Sequence, residues 1–262
     1  MEWDKITSPD FAKAVKKTNG VCLLPIGCIE KHGGHLPLGT DILFIHKLCC
    51  LAAEKEPAVV FPYFYLSQIS EARHQPGTVA LKFDLLMPLL ENICDEIGRN
   101  GLRKIIIVNG HGGNLAFLSF FNMMFNDKKR DYTVYGVTPF MTANCAGLKI
   151  MKAKKDGHGG EKETSQIMYF YPELVKTPAP IGNGMPLKRL QKLQEDNIST
   201  GIDWYSNYPD HLAADKTPGS REKGKILVEM QVKKLASQIR LIKKDRTAQS
   251  LFREFHGKTT SH

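Results

Sequence analysis

At 262 residues, with 42% apolar and 24% charged residues, the chain has the composition of a globular protein whose core needs no disulfide framework or structural metal. No apolar run reaches the roughly 20 residues of a membrane helix. The opening MEWDKITSPD also lacks the basic and apolar regions of a secretory signal, so a cytoplasmic location is expected. The formal charge of +9 does not by itself point to nucleic acid: Lys223, Lys225, Lys233, Lys234, Lys243 and Lys244 alternate with apolar residues as the solvated face of an amphipathic helix, and no zinc-finger or aromatic RNA-binding pattern accompanies them.

In chain order, GVCLLPIG (20–27) reads as a short buried strand. A polar loop follows, then a helix opened by Thr40 and Asp41 and closed by Pro57. AVVFPYFYL (58–66) and GTVALKF (77–83) read as second and third strand regions. Asp84 is the expected N-cap of LLMPLLENICDEIGRN, and Gly101 its terminator. RKIIIVNG (103–110), continuous in Ile and Val, predicts a strand buried on both faces. A helix over NLAFLSFFNMMFNDKK, a strand over DYTVYGVTPF, a helical segment through Lys155 and a helix over EKETSQIMYFYP complete the pattern. The proline-, glycine- and asparagine-rich stretch from Pro178 to Pro218 is a long loop or a small excursion. This βαβα order predicts one domain over 1–262, an α/β fold with a mostly parallel sheet covered by helices on both faces. Six scattered cysteines with no CxxC pair argue against a disulfide framework.

Three glycine-rich polar loops stand where strand or helix patterns stop, and in open parallel sheets ligands gather beyond the carboxyl ends of strands. They are PIGCIEKHGGHLPLGTD (25–41), NGHGGN (109–114) and HGGEKETS (158–165). Glu30 and His32, two apart, leave an extended backbone on one side, and Asp41 returns nine residues later with two oxygens able to bridge two ions. His111 is flanked by glycine, and Glu163 lies in the first turns of a helix. Mixed nitrogen and oxygen donors suit zinc, manganese or iron(II). Two such ions about 3.5–4 Å apart are a recurrent hydrolytic arrangement, with His158 the candidate acid/base near neutral pH. His35 is placed one step back, holding a ligand carboxylate, and Asn109 and Asn114 are candidate supports of the ligands or contacts to substrate. The same residues also read as ordinary turn and capping groups, and NGHGG alone could cradle a phosphate. Arg73, His74, Trp204, Tyr205 and His211 lie in loops able to reach the site, and each reads equally as an exposed loop residue.

Taken together and in this order, the three motifs resemble the creatininase family of creatinine amidohydrolase-like enzymes, and the tail from Tyr208 to Met230 resembles that family's final loop and helix more loosely. The resemblance implies a three-layer α/β/α fold, a homo-oligomer, usually a hexamer, and a dinuclear metal centre, with zinc the first expectation, hydrolysing carbon–nitrogen bonds of small-molecule amides. It makes Glu30, His32, Asp41, His111 and Glu163 ligands, with Asp41 bridging, and His158 the acid/base. Departures accompany it. Gly113 stands where creatininase has a ligand glutamate, Gly157 where it has a carboxylate, and the substrate-binding tryptophans have no counterpart in the motifs, so creatinine is not the expected substrate. Other members remove formyl groups from flavin-type precursors or trim a cofactor peptide. Cys28 replaces a motif serine, which leaves a thiol hydrolase using Cys28 with His32 or His158 as one alternative. A metal-binding member without turnover is another.

Overall fold

The computed structural model describes residues 1–139, 148–176 and 184–259. Strands β1 (Val21–Ile26), β2 (Val59–Val60), β3 (Lys104–Asn109) and β4 (Thr133–Val137) form one all-parallel sheet in the order β2-β1-β3-β4. The chain departs from β1 toward one edge and from β3 toward the other. The switch point of the topology, where such sheets open a crevice, therefore lies between β1 and β3.

Alternation along β1 and β3 divides the core into two layers. Val21 and Leu23 with Ile106 and Val108 face helix α2 (Thr40–Lys55), α5 (Glu161–Phe170) and α8 (Arg221–Lys244). Cys22, Leu24 and Ile26 with Ile105 and Ile107 face α1 (Ser8–Lys17), α3 (Phe83–Arg99) and α4 (Asn114–Met124). The result is the expected three-layer α/β/α sandwich. Both faces of β1 are covered, as its unbroken apolar run requires. Short helices α6 (Gln191–Glu195) and α7 (Asp203–Asn207) lie within the excursion after α5, and α9 (Thr247–Thr259) follows α8. Lys225, Lys233, Lys234 and Lys244 lie on the solvated side of α8, whereas Lys223 and Lys243 pair with Glu161 and Glu56. No described helix is long and apolar enough to cross a membrane.

Several sequence expectations are corrected. Helix α1 was not foreseen; it is short, with Ala14 its single buried residue, and the apolar face is anchored instead by Trp3 against Phe11 at 4.4 Å between ring centroids. The second strand shrinks to two residues with a bridge at Phe64, because Pro62 has no N–H to donate to a ladder. GTVALKF is not a strand: Val79 donates a hydrogen bond to the Ile29 carbonyl, and the segment runs as irregular chain over the loop after β1. Asp84 sits in the first turn of α3 rather than at its cap, which Lys82 occupies. Residues 151–155 are irregular, with one 3₁₀ turn at Leu148–Ile150, and the remainder of that expected helix, with Cys145, lies outside the described residues.

The start of α2 lies directly on the ends of β1 and β3. A Cβ on Gly27 would stand 2.6 Å from the Ile42 nitrogen, and one on Gly110 2.9 Å from the Asp41 carbonyl oxygen. Backbone meets backbone here, so nothing can give way. Gly27→Ala should cost about 2 kcal/mol, lowering the calorimetric melting temperature by about 5 °C.

Candidate metal centre

The first turn of α2, held down on the two glycines, delivers Asp41 into the crevice between β1 and β3. Glu30 and His32 come from the loop after β1, His111 from the turn between β3 and α4, and His158 and Glu163 from the start of α5. Three helix N-termini, those of α2, α4 and α5, open at this edge, where backbone N–H groups favour negative charge.

Asp41 faces two donor groups, one with each oxygen. Its Oδ2 is 3.0 Å from His111 Nδ1, which is also 2.7 Å from Glu30 Oε1. Its Oδ1 is 3.2 Å from His32 Nε2, and Glu163 Oε2 approaches that same nitrogen at 3.7 Å. Donor atoms of Glu30, Asp41, His111 and Cys28 lie within 4.8 Å of one another, as do those of His32, His158 and Glu163. The donor set of each group, carboxylate oxygen with imidazole nitrogen, is that of a divalent transition metal site. Glu161, one helical step earlier, is spent elsewhere, accepting from the Lys152 and Ala153 amides at 2.8 and 2.7 Å.

The electrostatics of the ion-free cluster are those of buried anions compensated by imidazolium. Burial alone would lift Glu30, but His111, His158 and His211 hold its carboxyl well below the usual range. Asp41 behaves likewise against His32 and His111. Burial opposes charge on His32, yet Asp41, Glu30 and Glu163 together raise it to about 10, and His111 is raised for the same reason. His158 differs: burial and the charge on His32 lower it, leaving a neutral ring near pH 7. Its Nε2–H donates to the Lys31 carbonyl at 2.7 Å, so Nδ1 is the basic nitrogen. Cys28 is fully buried behind the carboxylates, its S–H directed at Glu30 Oε1 and Asp41 Oδ2 at 3.2 and 3.1 Å. Burial and these anions push its thiol well above the ordinary value.

The supporting residues depart in part from expectation. His35 donates to or accepts from Thr164 Oγ1 at 2.8 Å, fixing α5 beside Glu163 rather than binding a carboxylate. Asn109 Oδ1 accepts from the His111 amide and from Asn114 Nδ2, both at 3.1 Å, which shapes the turn carrying His111. Glu163 Oε2 also accepts from the Gly159 amide at 2.7 Å and so ties down the loop bearing His158. Arg73 and His74 remain exposed, the latter holding the Pro209 carbonyl at 2.7 Å. Tyr205 packs edge-on to His74.

Trp204 and His211 do reach the site, and Glu71 joins them. All three line a cavity of about 380 Å³ above the cluster, walled on its apolar side by Phe44 and Ile167. Glu71 Oε1 lies 3.9 Å from His111 Nε2, a buried nitrogen with no hydrogen-bond partner among the described residues. The carboxylate reaches this position through the space above Gly113, where a Cβ would stand 2.5 Å from both atoms. No motif marks Glu71, since it follows no strand and its neighbours are those of an ordinary loop.

The creatininase family profile, described as creatinine amidohydrolase, matches residues 4–239. The creatinine amidohydrolase of Pseudomonas putida is 26% identical over 261 residues, covering 90% of this chain and 95% of that protein. A mycofactocin precursor peptide peptidase of Mycolicibacterium smegmatis is 28% identical over 209 residues, covering 76% and 78%. Among solved structures, a candidate creatinine amidohydrolase from Bacteroides fragilis aligns with a TM-score of 0.77 at 25% identity, covering 87% and 91% of the two chains. A manganese creatininase aligns with 0.73 at 23% identity, covering 93% and 99%.

Two outcomes follow for the protein stripped by chelator. The His32 proton stabilises the fold fully below the ordinary histidine value of about 6.5, and this contribution is lost as pH rises through about 10. The melting temperature should therefore fall more steeply between pH 7 and 10 in the wild type than in His32→Gln. Gly113→Ala should separate Glu71 from His111 and shift the buried ring, lowering apparent metal affinity at least tenfold in a chelator competition.

Proposed function

The chain belongs to the creatininase family, and from that premise we propose that it is a metal-dependent amidohydrolase acting on a non-standard carbon–nitrogen bond: a cyclic amide, a formamide or a small peptide-like amide. The observation that carries this reading is Asp41, whose two oxygens each face a separate set of nitrogen and oxygen donors in a buried crevice. Glu30, Asp41 and His111 would hold one divalent ion and Asp41, His32 and Glu163 a second, with zinc first and manganese or iron(II) as alternatives. Bound there, the ions would supply Lewis acidity toward a carbonyl and a water acidic enough to react near neutral pH.

The chain's own groups supply the rest. His158 Nδ1, neutral and basic, takes a proton from the attacking water and returns it to the departing nitrogen, so that amide and water become carboxylic acid and amine with no net proton left on the ring. His158 is held for this by its Nε2–H bond to Lys31 and by ring contact with His32 at 4.2 Å between centroids. The cavity of about 380 Å³, lined by Phe44, Ile167 and Trp204 as well as Gln166, suits a small molecule with both apolar and polar parts. A homo-oligomer, with hexamer as the specific form, belongs to the same reading. Phe120 and Met123, about two-thirds exposed on α4, offer apolar surface for a contact between copies.

The thiol alternative is disfavoured by geometry. Cys28 has no exposure, its S–H serves two carboxylates, and those carboxylates oppose thiolate formation. Elemental analysis after reconstitution and dialysis should find close to two transition-metal ions per chain, and fewer than one would sink the dinuclear reading. Against a panel of formamides, lactams and cyclic ureas, His158→Ala should keep its metal and lose about 10²–10⁴ in kcat. Cys28→Ala should keep most turnover, and its abolition would move the assignment to the thiol.

A further inference from the structure

The three motifs account for every proposed ligand, but they leave unexplained a buried histidine from another part of the chain that reaches the same carboxylate. His211 has 1% exposure and a left-handed backbone, φ +53°, uncommon for a residue with a side chain though less so for histidine. Two backbone bonds impose it. The His211 amide donates to the Tyr208 carbonyl at 2.9 Å, and the Ala213 amide to the His158 carbonyl at 3.0 Å, so the loop is tied to the segment carrying the proposed acid/base. The imidazole then spans two groups. Trp204 Nε1–H donates to His211 Nδ1 at 2.8 Å, and His211 Nε2 bonds Glu30 Oε2.

The chemistry of this chain allows one assignment. An indole nitrogen only donates, so Nδ1 of His211 is an acceptor and the ring proton resides on Nε2. That proton is given to Glu30 Oε2, while the other oxygen, Oε1, is the one facing His111 Nδ1 at 2.7 Å. Carboxylate–histidine pairs with the histidine outside the ligand set fix which oxygen a ligand presents.

We propose that Trp204 and His211 form a positioning relay for Glu30: the tryptophan selects the tautomer of His211, and His211 holds one oxygen of Glu30 so that the other is presented to the ion beside His111. Because Trp204 also lines the cavity and packs edge-on to His158 at 5.9 Å, the relay links the substrate-facing wall to the ligand set. The inference rests on the metal-dependent reading above.

The test uses the full chain in a Trp3→Phe background, so that Trp204 is the single tryptophan, excited beyond the absorption band of the tyrosines. His211→Asn keeps a residue that tolerates the left-handed backbone but is too short to reach Glu30, whereas His211→Gln retains an N–H donor and serves as the rescue. With manganese(II) as the probe in competition with a chelator, His211→Asn should weaken apparent affinity 10–100-fold, and His211→Gln should recover most of the loss. Trp204→Phe, which frees the tautomer, should fall between the wild type and His211→Asn. In the metal-free protein, His211→Asn should also shift the Trp204 emission, which reports the indole hydrogen bond independently of any ion. Unchanged affinity in His211→Asn, or loss in it without recovery in His211→Gln, would overturn the relay. A wild-type chain that takes up no metal would overturn the amidohydrolase reading instead, and the emission arm would still show whether the Trp204–His211 bond exists.

Discussion

Glu30 and Asp41 present two buried oxygens to a single nitrogen of His111, at 2.7 and 3.0 Å, and much of the molecule is arranged to tolerate that. Two carboxylates withdrawn from water repel one another and lose hydration, a cost that a fold must offset locally. Four imidazoles, those of His32, His111, His158 and His211, and the Cys28 thiol lie against the pair, at the edge where α2, α4 and α5 begin. The offset in the ion-free chain comes from protons on His32 and His111, the same nitrogens that a divalent ion would require. Under the proposed reading, protons and metal would thus compete for the same nitrogens.

The sheet order makes this concentration possible. Because the chain leaves β1 and β3 in opposite directions, their two loops diverge and open a crevice, and α2 descends into it as far as Gly27 and Gly110 permit. Any side chain at those glycines would raise the helix and withdraw Asp41 from both imidazoles. The position of the Asp41 carboxylate is therefore set by an absence of atoms some distance along the chain from it.

What could be read from sequence follows from distance along the chain. Glu30, His32 and Asp41 lie in one short motif, and the Ile and Val run before His111 announces a buried strand whose end must be near the site. The doubly wound fold followed from the same pattern. Glu71, Trp204 and His211 were harder because their roles depend on contacts spanning tens to nearly two hundred residues, such as His211 with Glu30. Nothing in a glutamate within SEARH or a histidine within YPDHL distinguishes such a contact from solvent exposure. GTVALKF misled for a related reason: its composition suits a strand, but the sheet edge it would have joined is cut short at Pro62.

This division has a consequence for specificity. The groups proposed to hold ions and move protons come from the local motifs, which also line much of the cavity, while Phe44, Glu71, Gln166, Ile167, Trp204 and His211 add walls from outside them. Under the proposed reading, contacts to substrate would therefore come in part from residues that no motif marks. The open space above Gly113 joins the two: a glycine there admits the Glu71 carboxylate to within 3.9 Å of His111 Nε2, so a loop lining the cavity also bears on the histidine proposed as a ligand. A larger residue at 113 would close that route and would have to supply its own carboxylate to replace it. In this chain the charge comes from Glu71 instead, so under the proposed reading one loop would both line the cavity and bear on a ligand.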